Sequence, residues 1–162
     1  MRERVAAAVM AVLCATVVAG CSGTPAGAEE AVARLAALDI VTTVPPEGTL
    51  VAYAEDLGSD SSITARNAGV VAVYATSADL DAIAEHYLAT FPEYDLGEEC
   101  CTSADSMVLK GWSDDTYADV TINRGSPRYR GLSTPEPSFA ASNADLYVVV
   151  DVAPRPDLNA GA

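Results

Sequence analysis

The chain predicts an α+β domain, with an antiparallel sheet of about five strands and helices packed on one face. One stretch repeats apolar residues at helical spacing, and several short stretches are rich in valine or alternate apolar and polar residues. A short polar segment joins two of the strand-like stretches, as in a hairpin. Because these elements follow the order α, β, β, α, β, β, β, we expect helices segregated to one face of an antiparallel sheet.

The N-terminal half begins with a short helix and continues with two strands. Residues 29–38 have acids in the first turn and apolar side chains along one side, which is typical of a helix. Residues 45–48, Pro-Pro-Glu-Gly, break the chain before a strand predicted over 50–54. A polar loop is expected over 56–67, and the valine-rich segment 69–76 predicts the second strand.

The strongest helical signal lies at 78–91. Thr76 or Ser77 is expected to cap this helix, and Asp79 falls in its first turn, where the helix dipole favours an acid. Pro92 follows the last apolar residue and predicts the end of the helix. We expect this main amphipathic helix to pack on the sheet through one continuous apolar stripe. The stripe consists of Leu80, Ile83, Ala84, Tyr87, Leu88 and Phe91.

The C-terminal half predicts three further strands. Segments 106–112 and 116–123 flank the polar turn at 113–115, and the second segment alternates between apolar and polar residues. A long proline-containing loop is expected over 124–143, and loops of this length are often functional. The nearly continuous apolar run 146–152 predicts a buried strand in the middle of the sheet.

The first 21 residues have the layout of an export signal. Arg2 and Arg4 precede a largely apolar segment, and small residues then lead to Cys21. A transmembrane helix is one alternative, but the apolar run from Val5 to Gly20 has 16 residues, against the roughly 20 needed to cross a bilayer. Ordinary cleavage that releases a soluble protein is the other alternative. The cysteine directly after the small residues favours lipidation.

The four residues Val18-Ala19-Gly20-Cys21 resemble the lipobox of bacterial lipoproteins. The resemblance implies that a diacylglycerol is attached to Cys21 before cleavage on its amino side. Two or more acyl chains hold a protein firmly at a membrane, whereas one chain binds reversibly. The whole layout resembles that of small actinobacterial lipoproteins, in which a signal and lipobox precede one α+β domain. This resemblance implies a location in the cell envelope and implies no reaction.

The predicted organisation has four parts: a signal peptide over 1–20, a flexible tether over 21–28, one domain over 29–155 and a disordered tail over 156–162. Removing the signal leaves 142 residues, enough for one hydrophobic core. They include 7 basic and 22 acidic residues, for a formal charge of −15. Such a balance argues against nucleic acid as a partner and against a domain that lies flat on an anionic membrane.

Cys100 and Cys101 are the thiols that would remain in an oxidising compartment, since Cys14 leaves with the signal and Cys21 would be acylated. Neighbouring Cα atoms are about 3.8 Å apart, closer than the roughly 4.4 to 6.8 Å of ordinary disulfides, so a bond between them closes a strained ring. The functional alternatives are a redox switch or a rigid ring that contacts a ligand. The structural alternatives are a static disulfide or two unpaired thiols, and a disulfide to a partner chain also remains open.

Two groups of acidic residues could supply oxygen ligands to calcium. Neither group has the ligand spacing of an EF-hand loop, so we expect solvated carboxylates and predict no metal site. One group lies in the first polar loop and the other at the hairpin: Glu55, Asp56 and Asp60, and Asp114, Asp115 and Asp119.

His86 is the only histidine in the sequence. It falls off the apolar stripe of the main helix, so we expect it to face water near Asp79 and Thr90. One histidine without spaced cysteine or histidine partners makes a poor zinc site. A Ser-His-Asp triad remains open because triads assemble in space, but the sequence has no Gly-x-Ser-x-Gly segment. We predict no catalytic residue.

The segment 124–130 concentrates positive charge in an acidic chain. Arginine side chains beside an aromatic ring suit the recognition of phosphate, carboxylate or sugar, and the alternative is a solvated loop that balances the acids of the hairpin. Trp112 could line a groove, although aromatic residues also serve as core. We expect a real site if these residues line one cavity with Cys100 and Cys101. The candidates for ligand or partner binding are Arg124, Arg128, Tyr129, Arg130 and Trp112.

Together these features favour a lipid-anchored accessory or binding module at the outer face of the cytoplasmic membrane, with no enzymatic activity and no cofactor. Its expected partners are the membrane, through the anchor, and an envelope protein or a small anionic ligand. An envelope-directed hydrolase and a structural or docking lipoprotein are the alternatives. An enzyme should have a pocket with convergent polar groups, whereas a docking protein should have a flat apolar patch.

Overall fold

The structure is a computed structural model that describes residues 24–59, 67–99, 103–125 and 144–155. Within these ranges the chain has the predicted α+β architecture, because six strands form one antiparallel sheet accompanied by three short helices and a 3₁₀ turn. The sheet has one strand more than the sequence predicts. The additional strand, Gly97–Glu98, has only two residues and extends one edge of the sheet.

The helices are short and follow local signals in the sequence. Gly27, with a φ of 79°, precedes the first helix in the left-handed conformation that glycine adopts readily. Glu29 and Glu30 lie in the first turn and Arg34 in the last, so their charges complement the helix dipole. A 3₁₀ turn over Pro92–Tyr94 follows the last helix. The helices are α1 Ala28–Ala36, α2 Asp39–Thr42 and α3 Leu80–Thr90.

The strands extend the predicted segments by up to two residues at each end. Every neighbouring pair is antiparallel, and the spatial order is β1-β2-β6-β5-β4-β3. The prediction that the last strand lies inside the sheet is confirmed, because β6 pairs with β2 on one side and β5 on the other. The strands are β1 Gly48–Asp56, β2 Gly69–Thr76, β3 Gly97–Glu98, β4 Ser106–Ser113, β5 Thr116–Arg124 and β6 Leu146–Pro154.

The main core lies between the helices and one face of the sheet, which we call the core face. This core includes residues of α1, α3 and β6 that are each at most 2% exposed: Val32, Leu35, Ile83, Tyr87 and Val150. Successive strand residues point to opposite faces, so alternate residues of β2 and β6 point away from the helices. Those residues and Ala52 of β1 form a second buried apolar cluster: Ala52, Val71, Val73, Ala75, Tyr147 and Val149. Burial on both faces explains why β2 and β6 have few polar residues.

Two details of the main helix differ from the prediction. The helix begins at Leu80, and the preceding Asp79 makes no side-chain capping hydrogen bond. Thr76 and Ser77 do not cap it, because they precede Asp79, which occupies the N-cap position. The Thr76 hydroxyl accepts the Ala78 N–H at 3.1 Å and donates to the Pro46 carbonyl at 2.7 Å, and the Ser77 hydroxyl donates to the Glu47 carboxylate at 2.5 Å. These bonds tie the end of β2 to the turn that begins β1.

The apolar stripe of α3 is also narrower than predicted. Ile83, Ala84, Tyr87 and Phe91 are buried, but Leu88 is 44% exposed. The sheet contacts only one side of this helix, and Leu88 lies at the margin of that contact, in a groove that it shares with Glu98 of β3 and Met107 of β4. The helix therefore has an exposed apolar side chain next to acidic ones.

Candidate functional site

The β4–β5 hairpin brings an exposed tryptophan together with half-buried polar and charged side chains. Its turn consists of Asp114 and Asp115, since Ser113 pairs with Thr116. Asp114 has a φ of 39°, a left-handed conformation that two-residue hairpin turns require and that Asp tolerates. This turn sets the register of every cross-strand pair that follows it.

Alternate residues of the hairpin point away from the helices and form a two-stranded surface, which we call the hairpin strip. Leu109 of β4 and Val120 of β5 belong to the main core, so their neighbours in sequence face the other way. The strip contains four directly opposed pairs: Trp112–Tyr117, Lys110–Asp119, Val108–Thr121 and Ser106–Asn123. Its side chains therefore change from aromatic to charged to uncharged along the strands.

Trp112 is held at one end of the hairpin strip with 42% of its surface exposed. The centroid of its ring lies 4.6 Å from that of Tyr117, with the two rings tilted by 50°. The guanidinium carbon of Arg155 lies 5.3 Å from the Trp112 ring centroid, within the range of a cation–π contact. Each contact is worth about 0.5 to 1 kcal/mol at an exposed site, so together they hold the ring in position while leaving part of it open.

Arg155 reaches the tryptophan because the end of β6 is tied to the hairpin turn. Its backbone N–H donates to the carbonyl of Asp115 at 2.6 Å. The carboxylate of Asp115 in turn accepts an ion-pair contact from Arg34 of α1 at 3.2 Å. The turn thus joins the first helix, the hairpin and the end of the last strand around Trp112.

Charged and hydroxyl groups continue the strip from the aromatic pair. The Lys110 ammonium lies 2.5 Å from the Glu99 carboxylate and 3.7 Å from that of Asp119. Thr121 donates its hydroxyl to Asp119 at 2.7 Å. The hydrogen bond to Glu99 is the main cause that raises the pKa of Lys110. Burial, and then the charge of Asp119, raises the pKa of Tyr117, so both Lys110 and Tyr117 are hydrogen-bond donors at neutral pH.

Arg124 and Trp112, the two described members of the predicted binding group, lie at opposite ends of the hairpin and do not share a groove. Arg124 ends β5 beside the Ser106–Asn123 pair, seven residue steps or about 23 Å along the hairpin from the Trp112–Tyr117 pair. Arg124 pairs with Asp105 at 3.7 Å and is half exposed. It borders a groove of about 560 Å³ between α3 and β4 whose other charged residues are acidic.

The other predicted candidates lie outside the described residues. They are the predicted lipidation site, the two neighbouring cysteines and three residues of the arginine-rich segment: Cys21, Cys100, Cys101, Arg128, Tyr129 and Arg130. Of the arginine-rich segment the structure describes Arg124, which pairs with Asp105 rather than with the hairpin acids. Asp115 pairs with Arg34, and Asp119 pairs with Lys110.

His86 is half-buried. The prediction that this side chain faces water is wrong, because its Nε2 atom is buried. That atom is buried without a hydrogen-bond partner among the described residues. The ring packs edge-on against Tyr87, with 5.5 Å between centroids. The side chain therefore packs against the helix that carries it.

The described residues contain no group of three histidine, cysteine, aspartate or glutamate side chains arranged to hold a metal ion. Asp56 of the first acidic group accepts the Gly58 N–H at 2.9 Å, which is a local turn contact. In the same described ranges, no helix is both long and apolar enough to span a membrane.

Comparisons with protein families, with curated proteins and with solved structures give no match for this chain. The function must therefore be inferred from its own residues.

The sequence does not predict four of the residues around Trp112 as binding residues. These are Tyr117, Lys110, Asp119 and Arg155. The hairpin itself offered a signal for the first three: a two-residue turn at Asp114 and Asp115 fixes the pairs on either side of it. Pairing outward from that turn sets Tyr117 opposite Trp112 and Asp119 opposite Lys110. The sequence offers no such local signal for Arg155, which follows β6 and reaches Trp112 of β4 across the intervening strand β5.

Proposed function

We propose that this protein is a lipid-anchored, extracytoplasmic binding module of the cell envelope, and that the hairpin strip around Trp112 is its binding surface. The observation that carries the proposal is an exposed tryptophan braced by Tyr117 and Arg155 beside ordered charged groups. Aromatic side chains with fixed rings contribute large contact area at low entropic cost, and tryptophan is enriched among residues that dominate binding energy.

The anchor part of the proposal depends on the N-terminal sequence. Acylation of Cys21 would hold the domain at the membrane, while the charge of −15 on the remaining chain would keep it from lying on anionic lipid. We expect Cys21→Ala to move the protein from the membrane fraction to the soluble or secreted fraction. Cys14→Ala is the matched control, because that residue is removed with the signal. Unchanged membrane partition of Cys21→Ala would refute the anchor.

The binding part is tested by co-sedimentation of the full chain with insoluble wall material from the cells that make it, in a sugar-free polyoxyethylene detergent. We expect Trp112→Ala to weaken binding at least about tenfold. Leu88→Ala is the matched control, since Leu88 is 44% exposed and Trp112 is 42% exposed, and the two lie on opposite faces of the sheet. Equal binding by Trp112→Ala and the wild type would refute the proposed surface.

A further inference from the structure

We propose that the ligand of the hairpin strip is a neutral polysaccharide whose sugars carry adjacent free hydroxyl groups. This inference rests on the proposed binding function and adds the chemical class of the ligand. It follows from the order of chemical groups along the strip, from the charge of the chain and from the length of the surface.

The aromatic end of the strip suits the apolar face of a sugar ring. A pyranose presents C–H groups on its faces and hydroxyls around its edge, so it binds where a flat ring adjoins hydrogen-bonding groups. Trp112 supplies the flat ring, and its contacts with Tyr117 and Arg155 fix its orientation before any ligand arrives. A ring held in this way loses little conformational freedom on binding.

The middle of the strip offers both donors and acceptors beside that ring. Lys110 and Tyr117 can donate, and Asp119 accepts a hydroxyl from Thr121 while its two oxygens retain capacity for further donors. Each sugar hydroxyl both donates and accepts, which matches such a mixture. The ion pair between Lys110 and Asp119 limits the motion of both side chains, so their hydrogen-bonding atoms are already oriented.

The charge of the chain selects against polyanionic ligands. The full sequence has a formal charge of −14, and the cation at the centre of the strip, Lys110, already contacts Glu99 and Asp119. A teichoic-acid-like or uronic-acid polymer would meet net repulsion. A neutral polymer meets none, and its hydroxyls can use the paired charges as hydrogen-bonding groups.

The length of the strip suits several linked sugars. Its four opposed pairs extend from Trp112 to Ser106, about 20 Å along the strands. One sugar on Trp112 therefore leaves room for its neighbours over Lys110–Asp119 and over the uncharged pairs Val108–Thr121 and Ser106–Asn123. We expect binding to strengthen with chain length.

The first test uses the same wall material after three treatments: periodate, protease or buffer alone. Periodate oxidatively cleaves the carbon–carbon bond between neighbouring carbons that carry free hydroxyls. We expect periodate to reduce co-sedimentation of the full chain at least about tenfold and protease to leave it unchanged. Binding that survives periodate, or that protease removes, would overturn the saccharide assignment. If Trp112→Ala still lowers that binding, the proposed surface stands and only the ligand class fails. If Trp112→Ala binds like the wild type, the binding surface itself fails.

The second test uses the fluorescence of Trp112, which is the only tryptophan in the sequence. Wall polysaccharide is solubilised and divided by anion exchange into neutral and anionic fractions. We expect the neutral fraction to protect Trp112 of the full chain from quenching by acrylamide, in a saturable way that Asp119→Asn weakens. Protection by the anionic fraction alone, or by neither fraction, would overturn the inference.

Discussion

Replacement of Gly111 by alanine is expected to destabilise the fold strongly, because this glycine lies where the chain crosses closely over the sheet. Gly111 is a buried residue of β4 on the core face. A Cβ atom there would lie 2.1 Å from the carbonyl oxygen of Tyr94 and 3.0 Å from the backbone nitrogen and Cα of Leu96. These are backbone atoms, so no side-chain rotation can relieve the overlap.

The expected magnitude follows from that distance. Real Cβ contacts are essentially never shorter than 3.0 Å, so the Tyr94 carbonyl would have to move by about 1 Å. That movement would disturb the buried Tyr94 ring and the short β3 strand that follows it. Overpacking of this kind typically costs up to about 3 kcal/mol, which corresponds to a decrease of about 10 °C in Tm for a domain of this size.

The assay is urea and thermal unfolding of the full chain, followed by the fluorescence of Trp112, with Gly97→Ala as the matched control. Gly97 lies in β3, and a Cβ atom at that position would meet nothing within 4 Å. We expect Gly97→Ala to change the free energy of unfolding by less than about 0.5 kcal/mol, or to raise it slightly. If Gly111→Ala unfolds within about 2 °C of Gly97→Ala, the close crossing over β4 is refuted.

Two further predictions concern tyrosines. Tyr74→Phe should lower the free energy of unfolding by about 1 kcal/mol, because the Tyr74 hydroxyl donates to the Val41 carbonyl at 2.5 Å. Tyr87→Phe should leave the free energy of unfolding unchanged or raise it, because the buried Tyr87 hydroxyl has no partner among the described residues. Urea unfolding of both variants measures these changes, and equal losses in the two would contradict this reasoning. Burial, and then a hydrogen bond to Glu55, raises the pKa of Tyr53 from 10.0 to about 12. The stabilisation that the protonated Tyr53 hydroxyl gives to the fold should therefore be complete below pH 10 and lost as the pH rises to about 12. Glu55→Gln should lower this pKa toward 10, which NMR of ¹³C-labelled tyrosine measures, and an unchanged value would exclude Glu55 as a cause.

Much of the fold could be predicted because its signals are local. The valine-rich segment 69–76 coincides with β2, and the polar turn between β4 and β5 was recognised from its composition. The helix predicted over 78–91 exists, but its start and its exposed margin at Leu88 differ. The exact start of a helix depends on tertiary contacts of the residues before it, and here the hydroxyls of Thr76 and Ser77 donate to the turn before β1 while the helix begins after Asp79.

The candidate site could be predicted only in part. Trp112 was named from its residue type, and its exposure agrees with a role in binding. Arg124 is a candidate because of the local concentration of arginines and Trp112 because of its aromatic ring, and the structure places them at opposite ends of the hairpin. Nearness in sequence does not imply nearness in space when a strand separates two residues by about 3.3 Å per step.

The sequence by itself determined the alternation of β5, the glycine and acids that begin α1, and the burial of β6, because each depends on residues within one short segment. Only the tertiary structure decided that β6 lies between β2 and β5, that Gly111 must lack a side chain, and that Arg155 reaches Trp112. The physical reason is that these features depend on contacts between segments far apart in the chain. Such contacts are set by the packing of the whole core, and no short segment encodes them.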